Sequence, residues 1–232
     1  MVLETFIIVA VMALLLWGAL KWIAATPAVL VDVKPCRGNW AEARLRQCHC
    51  GIAVTGIPVE PINVYTSLAY LAAGWVTIRV MAGPPSWVLG VAMLLLAIGS
   101  GLYHGCKAMW AARADHAGMY AVFAALAFYA MAPEHRVIPY VMAVAALAAA
   151  ITFAFLFPGN LSLRMGLLLS LMAVRAVLLG SWVLGVVSLA VFAVAMGSWL
   201  VDRNTNWLGR LGHGLWHVLT AIAIAAMFVG LA

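Results

Sequence analysis

The sequence predicts an all-α polytopic membrane protein, and its composition is the first reason. Of its 232 residues, 67% are hydrophobic and only 9% are charged, and the mean hydropathy is +1.09. A soluble domain is roughly half apolar and about a quarter charged. The chain shows long unbroken runs of Ala, Leu, Val, Ile and Met instead of the period-two alternation of a membrane barrel. Such runs must be helices, because a helix satisfies its own backbone hydrogen bonds in lipid.

Eight apolar runs are long enough to cross a bilayer, for which a helix needs about 20 residues. They lie at residues 4–25, 61–82, 86–106, 115–132, 137–157, 163–180, 182–201 and 211–231. The first run begins at Glu4 without the basic start of a signal peptide, so we expect a retained helix. The chain then divides into an N-terminal helix (1–30), a loop (31–59) and a core with seven further helices (60–232).

The basic residues predict the orientation in the membrane. If the spans alternate, one side collects ten basic residues, Lys107 among them, and the other only Arg79 and Arg136, with Arg175 ambiguous inside a span. The richer side is then cytoplasmic, and both termini lie outside. The net charge of +6 therefore reflects basic residues that set the orientation in the membrane, and it does not indicate a nucleic-acid partner. In this orientation the polar residues considered next all lie near the cytoplasmic ends of their spans.

Three histidines, one aspartate and one serine are the candidate site residues. Ser100 and His104 are four residues apart, as are His213 and His217, and Asp115 follows His104 by eleven. Residues four apart share one face of a helix. Three imidazoles and an oxygen ligand, for which Asp115 is the candidate, are the set expected around a catalytic zinc ion, with water in the open position. Ionisable groups are expensive inside a membrane, which also favours a functional interpretation.

Each of these patterns also has a purely structural interpretation. The histidines could bond neighbouring helices, Gly99-Ser100-Gly101 could be a small-residue packing motif, and Asp115 could cap a helix. We expect the glycines to pack helices and Ser100 to donate to an oxyanion as well. Gly214 stands where the soluble His-Glu-x-x-His pattern has its base, so Asp115 becomes the candidate base. His116 faces about 100° away from Asp115 and is left out of the site.

Two further clusters have less specific spacing. Glu60-Pro61 is typical of a helix start, and Asn63, one turn later, is expected to tie helices together or to support the metal. Cys48-His49-Cys50, with Cys36 further upstream, lacks the standard spacing of a zinc knuckle, which disfavours a second metal there. These cysteines and Cys106 fall on the predicted cytoplasmic side, where thiols are normally reduced.

Taken together, the motifs resemble the alkaline ceramidase family, within the CREST superfamily of seven-helix membrane hydrolases. The matching stretches span about residues 48–232 and comprise Glu60–Asn63, Tyr65–Tyr70, Gly99–His104, Asp115 and Leu211–Thr220. The resemblance implies that His104, His213 and His217 bind zinc, while Asp115 and Ser100 hold the metal water and assist catalysis. It implies a zinc amidase that cleaves the N-acyl bond of ceramide, a lipid substrate in the bilayer, to a sphingoid base and a fatty acid.

The chain departs from that family at two points. Family members carry an acidic, tryptophan-containing calcium motif before the first core helix, whereas residues 46–51 here read Arg-Gln-Cys-His-Cys-Gly. Only Glu60 would remain of the motif, which argues against calcium regulation. The helix at 4–25 is additional to the seven-helix core. Both departures bear on the substrate more than on the chemistry.

Three alternative functions remain open. A zinc acyl hydrolase of another lipid, such as a phospholipid ester or an N-acyl amino-acid lipid, would use the same residues. A receptor-like member of the superfamily is disfavoured by the ceramidase-like final motif, Leu211–Thr220. A channel or transporter usually shows repeats or paired broken helices, and the sequence shows neither.

Overall fold

The computed structural model describes residues 2–26, 58–81, 84–131, 148, 181–205, 207–208 and 211–231. The elements in these ranges are helices: α1 (Val2–Ala25), α2 (Pro61–Thr66), α3 (Leu68–Met81), α4 (Pro84–Cys106), α5 (Met109–Met131), α6 (Trp182–Asn204) and α7 (Gly212–Leu231). Four of them, α1, α4, α6 and α7, are long and apolar enough to cross a membrane. The chain is therefore a helical, multi-pass membrane protein, as its composition predicts.

The described helices follow the predicted spans to within three residues, except for α5 and for the span 61–82. The spans 137–157 and 163–180 lie outside the described residues. Helix α5 begins at Met109, six residues before the predicted start at 115, so Asp115 lies in its second turn and does not cap it. The predicted span 61–82 is divided at Ser67 into α2 and α3. This division matters for the site, because the residues around it contact a histidine.

Two hydroxyl groups accompany the break between α2 and α3. The Thr66 hydroxyl donates to the Ile62 carbonyl at 2.8 Å, and the Ser67 hydroxyl donates to the Asn63 carbonyl at 2.7 Å. Side-chain bonds to carbonyls one turn back compete with helical amide bonds and bend helices. Just beyond them, the Tyr70 amide bonds the Ser67 carbonyl, three residues back, at 3.2 Å. The helix therefore tightens by one residue just after Ser67, whose own backbone angles remain helical.

Small residues let the helices of the bundle approach closely. A Cβ atom added to Gly99 of α4 would lie 2.6 Å from the Ala114 carbonyl of α5, so the two backbones are in contact there. This confirms the packing role predicted for the Gly99-Ser100-Gly101 motif. On another face of α4, Leu16 and Leu20 of α1 pack over Gly101 and Gly105. The N-terminal helix is thus seated directly against the helix that carries His104.

The predicted site residues lie at one end of the bundle. The Glu60 amide, at the start of α2, donates to the His104 carbonyl near the end of α4 at 3.0 Å. At the opposite end, the Arg79 side chain of α3 lies 3.5 Å from the Glu4 carboxylate of α1. Helices α2, α5 and α7 therefore begin where α1, α4 and α6 end. That this end faces the cytoplasm remains a prediction from the basic residues.

Candidate metal centre

The three predicted histidines come together inside the bundle. His104 reaches the centre from α4, and His213 and His217 reach it from successive turns of α7. All three are buried, and their candidate ligand atoms lie within 4.8 Å of one another. The ring centroids are 4.6 to 4.9 Å apart. This confirms that the i, i+4 pair on α7 and the single histidine on α4 share one point.

The spacing of the imidazole nitrogens suits a metal ion. The Nε2 atoms of His104 and His213 are 3.2 Å apart. Zinc–nitrogen bonds of about 2.0–2.1 Å in a tetrahedron place two ligand nitrogens about 3.4 Å apart. A hydrogen bond between two imidazoles would also bring them this close, but it gives no reason for the His217 ring to converge on the same point. The cluster could therefore hold a metal ion, and imidazoles suit zinc, copper, iron and nickel alike.

A buried carboxylate orients the first histidine. The Nδ1–H group of His104 donates to Oε2 of Glu60, a residue with no exposed surface. A metal-binding histidine usually donates its second nitrogen to such an acceptor, which fixes the tautomer and leaves the other nitrogen for the metal. The same Oε2 accepts from Lys107 Nζ at 2.6 Å and from Asn63 Nδ2 at 3.2 Å. The predicted helix start at Glu60 is confirmed, although its carboxylate supports His104 instead of capping α2.

Hydroxyl groups orient the third histidine. Nδ1 of His217 lies 3.1 Å from the Thr66 hydroxyl and 3.3 Å from the Ser67 hydroxyl. The Thr66 hydroxyl donates to the Ile62 carbonyl, and the Ser67 hydroxyl donates to the Asn63 carbonyl or to the Ser100 hydroxyl, so both oxygens are available as acceptors. The arrangement favours the tautomer in which His217 Nδ1 carries the proton and Nε2 is available to a metal. The break at Ser67 therefore presents two acceptors to α7.

The two other predicted residues, Ser100 and Asp115, lie near this centre in different ways. The Ser100 hydroxyl is buried, and its oxygen is 3.0 Å from the Ser67 hydroxyl, which links it to the His217 side of the cluster. Asp115 is also buried, and its backbone touches Gly99 across the α4–α5 contact. Among the described residues, the close set of ligand atoms holds the three histidines and includes neither Asp115 nor His116. The catalytic roles of Ser100 and Asp115 remain predictions.

Sequence reasoning missed several residues around the histidines. The topology prediction counts Lys107 among the basic residues of the cytoplasmic side, whereas the structure buries it beside Glu60. The roles of Thr66 and Ser67 were also not predicted. A signal for Lys107 was present, because it follows His104 by three residues and so lies one helical turn away. The hydroxyls carry no comparable signal, since Ser and Thr are common in membrane helices.

The cysteine cluster lies outside the described residues. Cys36, Cys48, His49 and Cys50 are not among the described residues, and neither is the segment 46–51 that bears on calcium. Cys106, the last residue of α4, is buried with a free thiol. The sequence argues against a second metal site at the cysteine cluster and against calcium regulation, and both statements therefore remain predictions.

Comparison with protein-family models and with curated proteins finds no match to this chain. The resemblance to alkaline ceramidases therefore depends on the motifs themselves. What the structure adds is independent of any relative: three buried imidazoles from two helices, two of them held at Nδ1 by acceptors from α2 and its end.

Proposed function

We propose that this chain is a zinc-dependent membrane hydrolase that cleaves the N-acyl amide bond of a ceramide-like lipid, releasing a sphingoid base and a fatty acid. The observation that carries the proposal is the convergence of His104, His213 and His217 in the bundle interior. Buried ionisable side chains in a membrane protein are expensive and generally mark a functional site. We further propose a seven-helix bundle of the CREST type, with α1 as an additional helix.

The ligand roles follow from the two Nδ1 contacts. His104, His213 and His217 would hold the ion. A zinc ion bound there would polarise a carbonyl and lower the pKa of a water toward about 7. Glu60 holds the His104 ring, and Thr66 and Ser67 hold the His217 ring, each through Nδ1. These contacts keep the ligands in place before substrate arrives, so little reorganisation is needed.

The remaining roles belong to Asp115 and Ser100. Asp115 is outside the close ligand set, which suits a base that orients a water and accepts its proton better than it suits a ligand. Ser100 is assigned to hydrogen-bond the carbonyl oxygen of the substrate as negative charge develops on it. Both groups are buried, and a hydrogen bond in such surroundings is electrostatically stronger than in water.

The position of the cluster supports a lipid substrate. His104 is two residues from the end of α4, and His213 is the second residue of α7, so the site lies near one end of the bundle. The amide of a ceramide, like the ester of a phospholipid, lies just below the head groups, where membrane helices end. An acyl chain extending from that level meets apolar helix surfaces. The amide is preferred over the ester because of the resemblance to ceramidases.

The test is metal content and lipid turnover on the same detergent-purified protein. Wild type is compared with His217→Ala and with His116→Ala, a control histidine on α5 outside the close ligand set. We expect about one zinc per chain in wild type and in His116→Ala, and loss of zinc and of fatty-acid release from ceramide in His217→Ala. Chelation should abolish release, and added zinc should restore it.

The other outcomes are equally informative. The wild type could contain zinc and leave ceramide intact, but release a fatty acid from a phospholipid or an N-acyl amino acid. The substrate would then be a different acyl lipid. Zinc without turnover of any lipid would favour a receptor-like protein. Monodisperse protein without zinc would mean that the histidines only form contacts between helices, and it would overturn the proposal.

A further inference from the structure

We propose that Lys107 is a positioning residue of the metal centre, which acts through the Glu60 carboxylate on His104. The inference rests on the proposed zinc site and adds to it a residue that neither the motifs nor the ligand set contains. Three observations carry it: a backbone conformation that disfavours lysine, the burial of a cation, and an oxygen shared with a metal ligand.

The first observation is the backbone of Lys107. Its φ of 55° is the one positive value at a non-glycine position in the described part of the chain. The residue immediately follows the end of α4, and its amide donates to the Tyr103 carbonyl at 2.8 Å. This is the left-handed cap that commonly ends a helix, a position where glycine is strongly preferred. A lysine is strained there, and such strain often accompanies function.

The second observation is the burial of the charge. The Lys107 side chain is 2% exposed, and its ammonium group lies 2.6 Å from Glu60 Oε2 and 4.4 Å from the centre of the Tyr103 ring. A buried ammonium is tolerated only with a partner of opposite charge and further favourable contacts. Glycine would relieve the strained cap and avoid burying an ammonium group. Stability of the cap therefore does not explain why this position holds a lysine.

The third observation is the shared oxygen. Oε2 of Glu60 accepts from both Lys107 Nζ and His104 Nδ1, and these two nitrogens are 3.4 Å apart. Lysine thus fixes the carboxylate at the point from which it orients the imidazole. Backbone bonds from Val59 to Gly105 and from Glu60 to His104 join the same two segments. The ion pair of Lys107 with Glu60 adds a charged contact between these two segments. It holds the carboxylate in the position that fixes the tautomer of His104.

The experiment compares four variants for zinc content and for the rate of zinc loss to a chelator. Lys107→Gly relieves the backbone but removes the cation, Lys107→Met keeps the length without charge, and Lys107→Arg keeps the charge. Lys21→Met, at an exposed lysine over Trp17 of α1, is the matched control. We expect roughly 10–100-fold weaker zinc binding in the Gly and Met variants, the usual effect of losing such a supporting contact. The Arg variant and the control should stay near wild type.

The outcomes separate the inference from the proposed function. Wild type without zinc overturns the metal centre itself. Wild type with zinc, together with Gly and Met variants that bind zinc equally well, overturns the role of Lys107 and leaves the centre standing. Aggregation of the Gly variant, or equal zinc loss in the Arg variant, would identify a structural role and also overturn it. Zinc loss from a monodisperse Lys107→Gly protein, reversed in Lys107→Arg, is the supporting result.

Discussion

Nδ1 of His217 lies 3.1 Å from the hydroxyl of Thr66, a residue 151 positions earlier in the chain. This contact joins α7 to the last residue of α2, immediately before the helix breaks at Ser67. On the other side of the cluster, His104 uses a carboxylate for the same purpose. A carboxylate raises the basicity of its histidine more than a hydroxyl does. His104 and His217 are therefore held by unequal partners, all from one short segment, 60–67.

The hydroxyl contacts predict that zinc binding depends on Thr66 and Ser67. The double variant Thr66→Val, Ser67→Ala removes both hydroxyls beside His217 Nδ1 with little change in volume, and it leaves the backbone hydrogen bond of His217 with Asn63 in place. We expect roughly 10-fold weaker zinc binding, because the ring loses two of the contacts that fix its tautomer and keeps the one with the Asn63 backbone. The measurement is competition for zinc against a chelator of known affinity.

Thr77 provides the control for the hydroxyl prediction. It is buried on α3, and its hydroxyl donates to the Ala73 carbonyl at 2.8 Å, as the Thr66 hydroxyl does to Ile62. Thr77→Val should bind zinc as tightly as wild type. Equal weakening in Thr77→Val and in the double variant would mean that loss of a helix contact, and not of the histidine acceptors, is responsible.

Asp115 is predicted to separate catalysis from metal binding. Since its carboxylate is outside the close ligand set, Asp115→Asn should keep about one zinc per chain. Loss of a positioned general base typically lowers the rate by roughly 10²–10⁴-fold. The two quantities are measured on one preparation, beside His213→Ala, which should lose both. If Asp115→Asn protein lost its zinc as His213→Ala does, the carboxylate would be a ligand, as the sequence also allowed.

The sequence predicted the parts of the site that depend on helical periodicity and composition. Apolar runs located the described helices, because lipid requires such runs to be helical. The spacing of His213 and His217 predicted one shared face, and the alternation of the spans predicted that His104 lies at the same end. These inferences need only the geometry of a single helix and the direction in which it runs. The structure brings the three imidazoles together accordingly.

The supporting contacts could not be predicted in this way. The pairing of Glu60 with Lys107 depends on how α2 docks on the end of α4, which neither helix determines alone. The positive charge of Lys107 is typical of an exposed cytoplasmic loop, but the structure shows the residue buried. The break at Ser67 falls within a continuous apolar run, where a single long helix is the natural expectation. It depends on side-chain bonds to carbonyls that composition does not reveal.

The buried pair of Glu60 and Lys107 predicts a strong coupling in stability. Glu60→Gln or Lys107→Met alone leaves one charge buried without its partner, which typically costs about 3–5 kcal/mol. Removing both charges together is often nearly neutral, so the double variant should be more stable than either single variant. The measurement is unfolding by denaturant in detergent for all four proteins of the cycle. Additive losses would show that the two residues do not act as a pair.

The contact between α4 and α5 at Gly99 predicts that one methyl group can disturb the site. The Cβ atom of Gly99→Ala would lie 2.6 Å from the Ala114 carbonyl, so the helices must separate. Overpacking of this kind costs about 1–3 kcal/mol. Because Asp115 follows Ala114 directly, it should move away from the Ser100 layer, and activity should fall further than zinc content.

The comparison is Gly18→Ala on α1, where an added Cβ meets nothing within 4 Å among the described residues. Gly18→Ala should leave the thermal midpoint unchanged or raise it, since alanine is the better helix former. Equal shifts in the two variants would mean that the α4–α5 contact tolerates a side chain, and that the short distance between Gly99 and Ala114 does not position Asp115.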